Sequence, residues 1–234
     1  MTNRSVIVAL DFPDPELALQ FVNQLPANAC ALKVGFELFL AGGPKFVESL
    51  VVNGFDVFLD LKFHDIPNTV ASACSVAAKM GVWMINVHAS GGREMMLAAR
   101  EAIQKESLSS QPKLIAVTVL TSMNQAGLSS VGIQGDVRDV VSQWATLALE
   151  SGLDGVVCSA QEARLIREQS PREFLIVTPG IRLPDNSSND QKRIVSPNDA
   201  KDVGVSHIVV GRPITRAEDP NAALEKFRVA FGCA

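Results

Sequence analysis

One short run of the chain brings a lysine and two aspartates close together: Asp60-Leu61-Lys62-Phe63-His64-Asp65-Ile66-Pro67-Asn68-Thr69. The residues just before it are apolar or aromatic apart from Asp56, as in a buried strand. Because alternate side chains of a strand share a face, Phe58, Asp60 and Lys62 are predicted to point the same way. A carboxylate and an ammonium held side by side on a rigid element can stabilise developing charge and transfer a proton. The run therefore predicts an active site at the end of a strand.

A second lysine, Lys33, lies inside another apolar run, at 31–36. A buried ammonium needs an anion, so Lys33 could simply form a structural ion pair with Asp60. Two lysines and two carboxylates exceed what packing requires, and we favour a functional array of Lys33, Asp60, Lys62 and Asp65. Asp65 has an alternative role as the N-cap of the helix that begins near Pro67, and the sequence leaves that choice open.

The histidines and cysteines give little support for a metal site. The three histidines and four cysteines form no CxxC, HxH or HExxH group, and the cysteines are predicted to be reduced and mostly buried. His64 is expected to be exposed or hydrogen-bonded rather than catalytic. His88 ends an apolar run, where it could support the site or be an ordinary core histidine.

Eight short apolar runs alternate with amphipathic segments along the chain. Nearly continuous apolar runs are typical of parallel strands covered on both faces. The strands are predicted at 6–10, 31–36, 55–61, 84–87, 114–120, 155–158, 174–177 and 207–210. The helices are predicted at 15–25, 44–52, 69–80, 94–105, 137–151, 160–169, 197–203 and 220–230. This order predicts an α/β protein with one domain at 1–234, a (β/α)₈ TIM barrel whose site lies at the carboxyl ends of its strands.

The last two strands are followed by Thr178-Pro179-Gly180-Ile181-Arg182 and by Val210-Gly211-Arg212-Pro213-Ile214. In this fold these loops commonly bind phosphate through backbone N–H groups, and the guanidinium of Arg212 would fit a phosphate. A lone Gly-Arg is best explained as a solvated turn, but the matching loop after strand seven favours a phosphate site.

Two polar segments border this predicted site. The stretch 183–193 has no periodicity, and beside a phosphate site it is predicted to form a lid that contributes Gln191 or Arg182, although an idle insertion is the simpler alternative. Thr121 and Ser122, after the fifth strand, offer hydroxyls that could contact the edge of a planar ligand.

The net charge of the chain limits the classes of molecule that it is expected to bind. A net charge of −4 over 234 residues, without a basic cluster, argues against nucleic acid and favours a small molecule or a second copy of the chain. The first apolar run is too short for a signal peptide, and no membrane segment is apparent, so we expect a cytoplasmic protein.

Taken together, these motifs resemble the orotidine 5′-monophosphate decarboxylases over the whole chain. The resemblance rests on Asp11 after strand one, the Lys33 strand, DLKFHDIPNT at 60–69, TVLTS at 118–122, TPGIR at 178–182, Gln191 and GRPIT at 211–215. It implies a carboxy-lyase without cofactor or metal, which converts orotidine 5′-monophosphate into uridine 5′-monophosphate and CO₂ in the last step of de novo pyrimidine biosynthesis.

The resemblance also implies roles for individual residues. Lys62 would protonate C6 of the pyrimidine, Asp60 would lie beside the substrate carboxylate, and Lys33 and Asp65 would complete the charged network. In the implied homodimer, Asp65 and Thr69 reach into the partner's site. The remaining implied substrate contacts are Asp11 and Lys33 at the ribose, Thr121 and Ser122 at the base, and Gln191, Gly211, Arg212 and Arg182 at the phosphate, with Pro179 beside them.

Two other functions are compatible with the same barrel. A sugar-phosphate decarboxylase or aldolase would use the carboxylates around Lys62 to hold Mg²⁺, although the IPNT and TVLTS segments argue against it. A nucleotide-binding barrel without catalytic activity would use only the phosphate site.

Overall fold

In a computed structural model, the structure describes residues 4–183 and 195–233, and the strands in these ranges form one closed parallel barrel. Each strand pairs with the next in chain order, and the first pairs with the last. The strands are β1 (Val6–Ala9), β2 (Ala31–Val34), β3 (Asp56–Phe63), β4 (Met84–His88), β5 (Lys113–Val117), β6 (Gly155–Val157), β7 (Leu175–Pro179) and β8 (His207–Val210). The predicted (β/α)₈ barrel is thus confirmed.

The helices follow the strands. They are α1 (Pro15–Val22), α2 (Phe36–Val52), α3 (Pro67–Lys79), α4 (Gly92–Lys105), α5 (Gln125–Ser130), α6 (Val137–Glu150), α7 (Ala160–Gln169), α8 (Pro197–Asp202), α9 (Arg212–Thr215) and α10 (Pro220–Phe231). None of the helices in the described ranges is long and apolar enough to cross a membrane.

Several helices begin directly after a residue whose side chain caps their first turn. The side chains of Asp14, Ser196 and Asp219 each accept a hydrogen bond from a backbone N–H in the first turn of α1, α8 and α10. Each cap precedes a proline at the first helical position, where the missing N–H costs no intrahelical bond.

Several predicted boundaries differ from those of the structure. The second strand ends at Val34 rather than at 36, and a helical segment that was not predicted begins at Phe36. Within α2 the backbone is non-helical at Gly43 (φ 64°), so the predicted helix at 44–52 is the second of two segments that meet there. The fifth strand ends at Val117 rather than at 120. The short helices α5 and α9 were not predicted, since one or two turns leave little periodicity in a sequence.

The core has two layers. Small and large apolar side chains fill the barrel interior, and a larger cluster packs between the strands and the helices. The predicted alternation of β3 is confirmed, since Phe58 lies in the interior while Val57 and Leu59 face the helices. The interior residues are Ile7, Ala9, Ala31, Phe58, Met84, Ile115, Val177 and Val209.

At the amino ends of the strands, charged side chains bind the backbone of neighbouring strands. Asp154 accepts a hydrogen bond from the Leu114 N–H (2.8 Å) and pairs with Arg100 and Lys113. Arg167 donates to the carbonyl oxygens of Phe174 (2.8 Å) and of other residues near the starts of β7 and β8.

Candidate active site

Asp60 lies between two lysines at the carboxyl end of β3. Lys62 Nζ is 2.7 Å from Asp60 Oδ1, and Lys33 Nζ is 3.3 Å from Asp60 Oδ2. Lys33 Nζ also lies 3.5 Å from Asp11 Oδ1. The charged groups therefore form one alternating row from Asp11 through Lys33 and Asp60 to Lys62, rather than a single structural pair.

Asp60 is almost fully buried, with 8% of the residue exposed. Burial by itself raises the pKa of this carboxyl, but the charges of Lys33 and Lys62, with hydrogen bonds from Lys62 and Asn86, outweigh it and hold the pKa below its ordinary value. Asp60 is accordingly an anion at neutral pH, and it faces any ligand that enters beside the lysines.

The backbone at Lys62 is unusual. Its φ of 47° lies in the left-handed region, and the pairing of β3 with β4 shifts register between Leu59 and Phe63. A side chain with a Cβ rarely adopts this conformation, and such bulges often lie at active sites. Lys62 Nζ also stands 5.2 Å from the centre of the Phe36 ring. The lysine is thus held in a locally irregular strand.

Asn86 in β4 completes this arrangement, and the sequence reasoning missed it. The Lys62 N–H donates to Asn86 Oδ1 (2.8 Å), while Asn86 Nδ2 donates to Asp60 Oδ1 (2.7 Å). The residue is fully buried. The sequence did contain a signal for it. Asn86 is a polar residue in an apolar strand, and because it lies two positions after the interior residue Met84, it faces the inside of the barrel.

Two adjoining cavities open at this end of the barrel. The smaller, of about 200 Å³, has a charged edge on an otherwise largely apolar lining. Its lining residues are Lys33, Asp60, Lys62 and Thr121 with Phe58, Val117, Val119, Leu120, Val157, Pro179 and Val209. Its size and its mixed walls suit a flat, partly polar group next to Lys62.

The larger cavity, of about 570 Å³, is rich in cations. Its lining residues are Ala9, Asp11, Phe12, Pro13, Lys33, Pro179, Gly180, Arg182, Val209, Gly211, Arg212, Thr215 and Arg216. Three arginines around one cavity suit an anion such as phosphate. Arg216 was not predicted, although its position one helical turn after Arg212 was a readable signal.

Three predicted site residues lie elsewhere in the single chain. Asp65, Thr69 and Ser122 are exposed and line neither of these two cavities. The N-cap alternative for Asp65 is wrong, because the N-cap residue of α3 is Ile66 and no side chain caps that helix. Asp65 Oδ1 instead accepts a hydrogen bond from the Ile66 N–H. Gln191 lies outside the described residues.

The two histidines near the site lie against each other with their rings tilted by 39°. The rings of His64 and His88 are 5.5 Å apart, and His64 is exposed as expected. Burial, followed by the charges of His64 and Lys62, lowers the pKa of the half-buried His88. His88 therefore borders the charged row rather than filling the core.

The other candidate ligands are dispersed. No group of three or more His, Cys, Asp or Glu side chains in the described part of the chain is arranged to hold a metal ion. The four cysteines are free and buried, which confirms that prediction.

Comparisons with known proteins identify relatives of this chain. The model of the orotidine 5′-phosphate decarboxylase / HUMPS family matches residues 4–227. Orotidine 5′-phosphate decarboxylase of Pseudoalteromonas atlantica is 54% identical over 231 residues, which cover 99% of this chain and all of that protein. The Chromobacterium violaceum enzyme of the same name is 56% identical over 223 residues, or 95% of this chain and 90% of its own.

Solved structures give the same result. The crystal structure of orotidine 5′-phosphate decarboxylase from Lactobacillus acidophilus superposes with a TM-score of 0.88 at 39% identity, covering 98% of this chain and 99% of that one. The enzyme of Methanocaldococcus jannaschii complexed with the inhibitor BMP, at 22% identity, shares the fold with a TM-score of 0.77 over 97% of this chain and 98% of that one. With the family model matching almost the whole chain, this protein belongs to the orotidine 5′-phosphate decarboxylase / HUMPS family.

Proposed function

We propose that this protein decarboxylates orotidine 5′-monophosphate to uridine 5′-monophosphate and CO₂, the last step of de novo pyrimidine biosynthesis. The observation that carries the proposal is the pair of lysines on the buried Asp60, placed directly beside the arginine-lined cavity. A nucleotide could span the two adjoining cavities, with its base in the smaller and its phosphate in the larger. Membership of the family supports the same activity.

The chemistry needs a fixed positive charge. When the bond between C6 and the carboxylate breaks, its electron pair stays on C6 as a localised carbanion, and CO₂ leaves. No conjugated electron sink is available to that orbital, so the ammonium of Lys62 stabilises the charge electrostatically and then transfers a proton to C6. The 2.7 Å contact with Asp60 holds the ammonium in position for both steps.

Asp60 would lie beside the carboxylate of the bound substrate. Two carboxylates close together repel each other, and this repulsion is relieved when CO₂ departs. Lys33, which contacts both Asp60 and Asp11, would balance the charge and hold the ribose together with Asp11.

The remaining proposed substrate contacts combine residues that line the cavities with Ser122 and Gln191, which are proposed from the sequence alone. Thr121, with Ser122 next to it, would contact the pyrimidine, and Pro179 lines both cavities between base and phosphate. Arg182, Gly211 and Arg212 would bind the phosphate, together with Gln191. Because the phosphate is remote from C6, its binding energy can hold the reacting group against Lys62.

We further propose that the active unit is a homodimer in which Asp65 and Thr69 enter the partner's site. Within one chain both residues are exposed at the start of α3 and line neither cavity. Ile66 and Val76 of the same region are large apolar residues with 68% and 58% exposure, as expected of a surface that a second copy covers.

The decisive experiment is spectroscopic. The purified chain, after exhaustive EDTA treatment and without added cofactor, should remove the ultraviolet absorbance of orotidine 5′-monophosphate and form uridine 5′-monophosphate. A strict requirement for Mg²⁺ would favour the sugar-phosphate alternative instead, and tight binding without turnover would indicate a nucleotide-binding barrel.

Sharing of the site between subunits has its own test. Mixing inactive Asp65→Ala and Lys62→Ala subunits should restore activity, since a heterodimer would then contain one intact site. Mixed dimers without any recovered activity would contradict the sharing.

A further inference from the structure

We propose that Asn86 is a positioning residue for this reaction: its side-chain amide holds the Asp60 carboxylate and the Lys62 backbone together in the arrangement that presents the ammonium to the substrate. The inference rests on the proposed function for its catalytic part. Its structural part depends only on the contacts of β3 with β4.

Both polar atoms of the Asn86 amide form hydrogen bonds. Its oxygen accepts from the Lys62 N–H at 2.8 Å, and its nitrogen donates to Asp60 Oδ1 at 2.7 Å. These partners also fix which atom is which, because a backbone N–H only donates and an ionised carboxylate only accepts. Among side chains of this length, only an amide combines a donor and an acceptor in this way while staying uncharged at neutral pH.

The bond to Lys62 replaces a missing bond of the sheet. Leu59 pairs with Ile85 and Phe63 pairs with Val87, but the register shifts between them, at the segment that holds Lys62. Lys62 has a φ of 47°, which side chains with a Cβ rarely adopt and which persists only when surrounding contacts hold it. The buried amide of Asn86 supplies such a contact inside the barrel.

The bond to Asp60 acts on the same lysine from the other side. Asp60 Oδ1 accepts from both Asn86 Nδ2 and Lys62 Nζ, each at 2.7 Å. Turning the carboxylate would break both bonds together. One amide therefore controls the backbone of Lys62 directly and its ammonium through Asp60.

This placement separates positioning from binding. Asn86 lines neither cavity, and the arginine-rich cavity is built from strands other than β4. Loss of the amide should therefore lower kcat while leaving the affinity for uridine 5′-monophosphate, which depends on the phosphate, nearly unchanged.

The first test is Asn86→Leu, which removes both hydrogen bonds and keeps the branching and the number of side-chain heavy atoms. We expect kcat to fall about 10- to 100-fold, as is usual when an outer partner of a catalytic group is lost. The dissociation constant of uridine 5′-monophosphate should change less than about threefold, well below the tenfold that one strong contact is worth. The matched control is Ser151→Ala, which removes a buried hydroxyl bonded to the Leu147 carbonyl oxygen away from the site.

The second test, Asn86→Asp, keeps the shape and makes the bridge depend on pH. A protonated Asp at this position can donate to Asp60 and accept from Lys62, as the amide does, whereas its anion repels Asp60. The ratio of variant to wild-type kcat should therefore rise as the pH is lowered. A structural role alone would give a flat ratio.

The third readout does not need activity. The amide proton of Lys62, followed by NMR, should exchange with solvent about tenfold faster in Asn86→Leu than in the wild type or Ser151→Ala, since its bond is lost. If the wild type fails to turn over orotidine 5′-monophosphate, the proposed function fails, while this exchange still tests the bridge. Equal losses of kcat and of nucleotide affinity, a flat pH ratio or unchanged exchange would each overturn the inference.

Discussion

The two ends of the barrel use their charged residues in opposite ways. At the amino ends, Asp154 and Arg167 bind backbone groups of the adjacent strands, so these hydrogen bonds are made to the protein itself and not to a ligand. At the carboxyl ends, Asp60 and the two lysines bind each other and face two open cavities. One end therefore stabilises the sheet, and the other holds charge ready for a ligand.

The contrast extends to the backbone. Lys62 has a φ in the left-handed region, the one non-glycine residue of the described ranges that does. Strain of this kind is tolerated where surrounding contacts hold it. Substitutions at the two ends should accordingly separate activity from stability.

The largest effect is expected for Lys62→Ala. Without the proposed proton donor and its charge, turnover of orotidine 5′-monophosphate should fall by about 10⁴-fold. Lys113→Ala is the matched control, because Lys113 also pairs with a carboxylate, Asp154, but at the other end of the barrel. Activity assays with circular dichroism melts should give an inactive, folded Lys62 variant and an active Lys113 variant. Near-normal turnover of Lys62→Ala would exclude the assigned chemistry.

The next effect concerns the arginine-lined cavity. Arg212→Ala should lower kcat/KM by about 10- to 100-fold, the usual loss of a charge-assisted contact to phosphate. The control substrate is orotidine, which lacks the phosphate. The variant and the wild type should decarboxylate it at the same low rate. An equal loss on both substrates would place Arg212 outside phosphate binding.

At the amino end, His207 should make the free energy of unfolding depend on pH. Burial lowers its pKa to about 4, its Nδ1 finds no partner among the described residues, and its ring lies 5.2 Å from that of Trp83. The unfolded chain binds the proton more readily, so stability is intact above about pH 6.5 and is lost as the pH falls toward 4.

The size of that loss is measurable. At pH 5 it should be about 2 kcal/mol, and His207→Phe, which keeps an aromatic ring against Trp83, should remove this part of the pH dependence. Urea unfolding at several pH values measures both. Identical pH profiles of the two proteins would show that His207 does not contribute.

The smallest effect is expected for Asp154→Asn. The pKa of Asp154 is lowered because hydrogen bonds from Arg100 and Leu114 and nearby charges outweigh its burial. Its contribution is therefore present above the ordinary carboxyl pKa and is lost as the pH falls through the lower pKa of the folded state. The variant should lose about 1 kcal/mol of stability at neutral pH, less in acid, with unchanged kcat. A reduced kcat would contradict the separation of the two ends.

The functional residues at the carboxyl ends of the strands could largely be predicted from the sequence. The interactions at the amino ends could not. The apolar runs predict the order of the strands. The polar residues and glycines that end them, such as Asp60, Lys62 and Gly211, predict which end of the barrel holds the site. The roles of Asn86 and Arg167 could not be read in this way, because each depends on which backbone atoms of other strands lie opposite it. The φ of Lys62 likewise arises from a register shift with β4, which no local pattern reveals.

The closure of the barrel between β1 and β8 also has a consequence for the order of folding. The charged row joins Asp11 to Lys33, Lys33 to Asp60 and Asp60 to Lys62, which are 22, 27 and 2 residues apart, so it can assemble within the first half of the chain. The arginine-lined cavity instead joins Asp11 to Arg182 and Arg212, and it exists only once the last strand meets the first. The moment at which a refolding chain first binds a phosphate ligand would therefore report when the barrel closes.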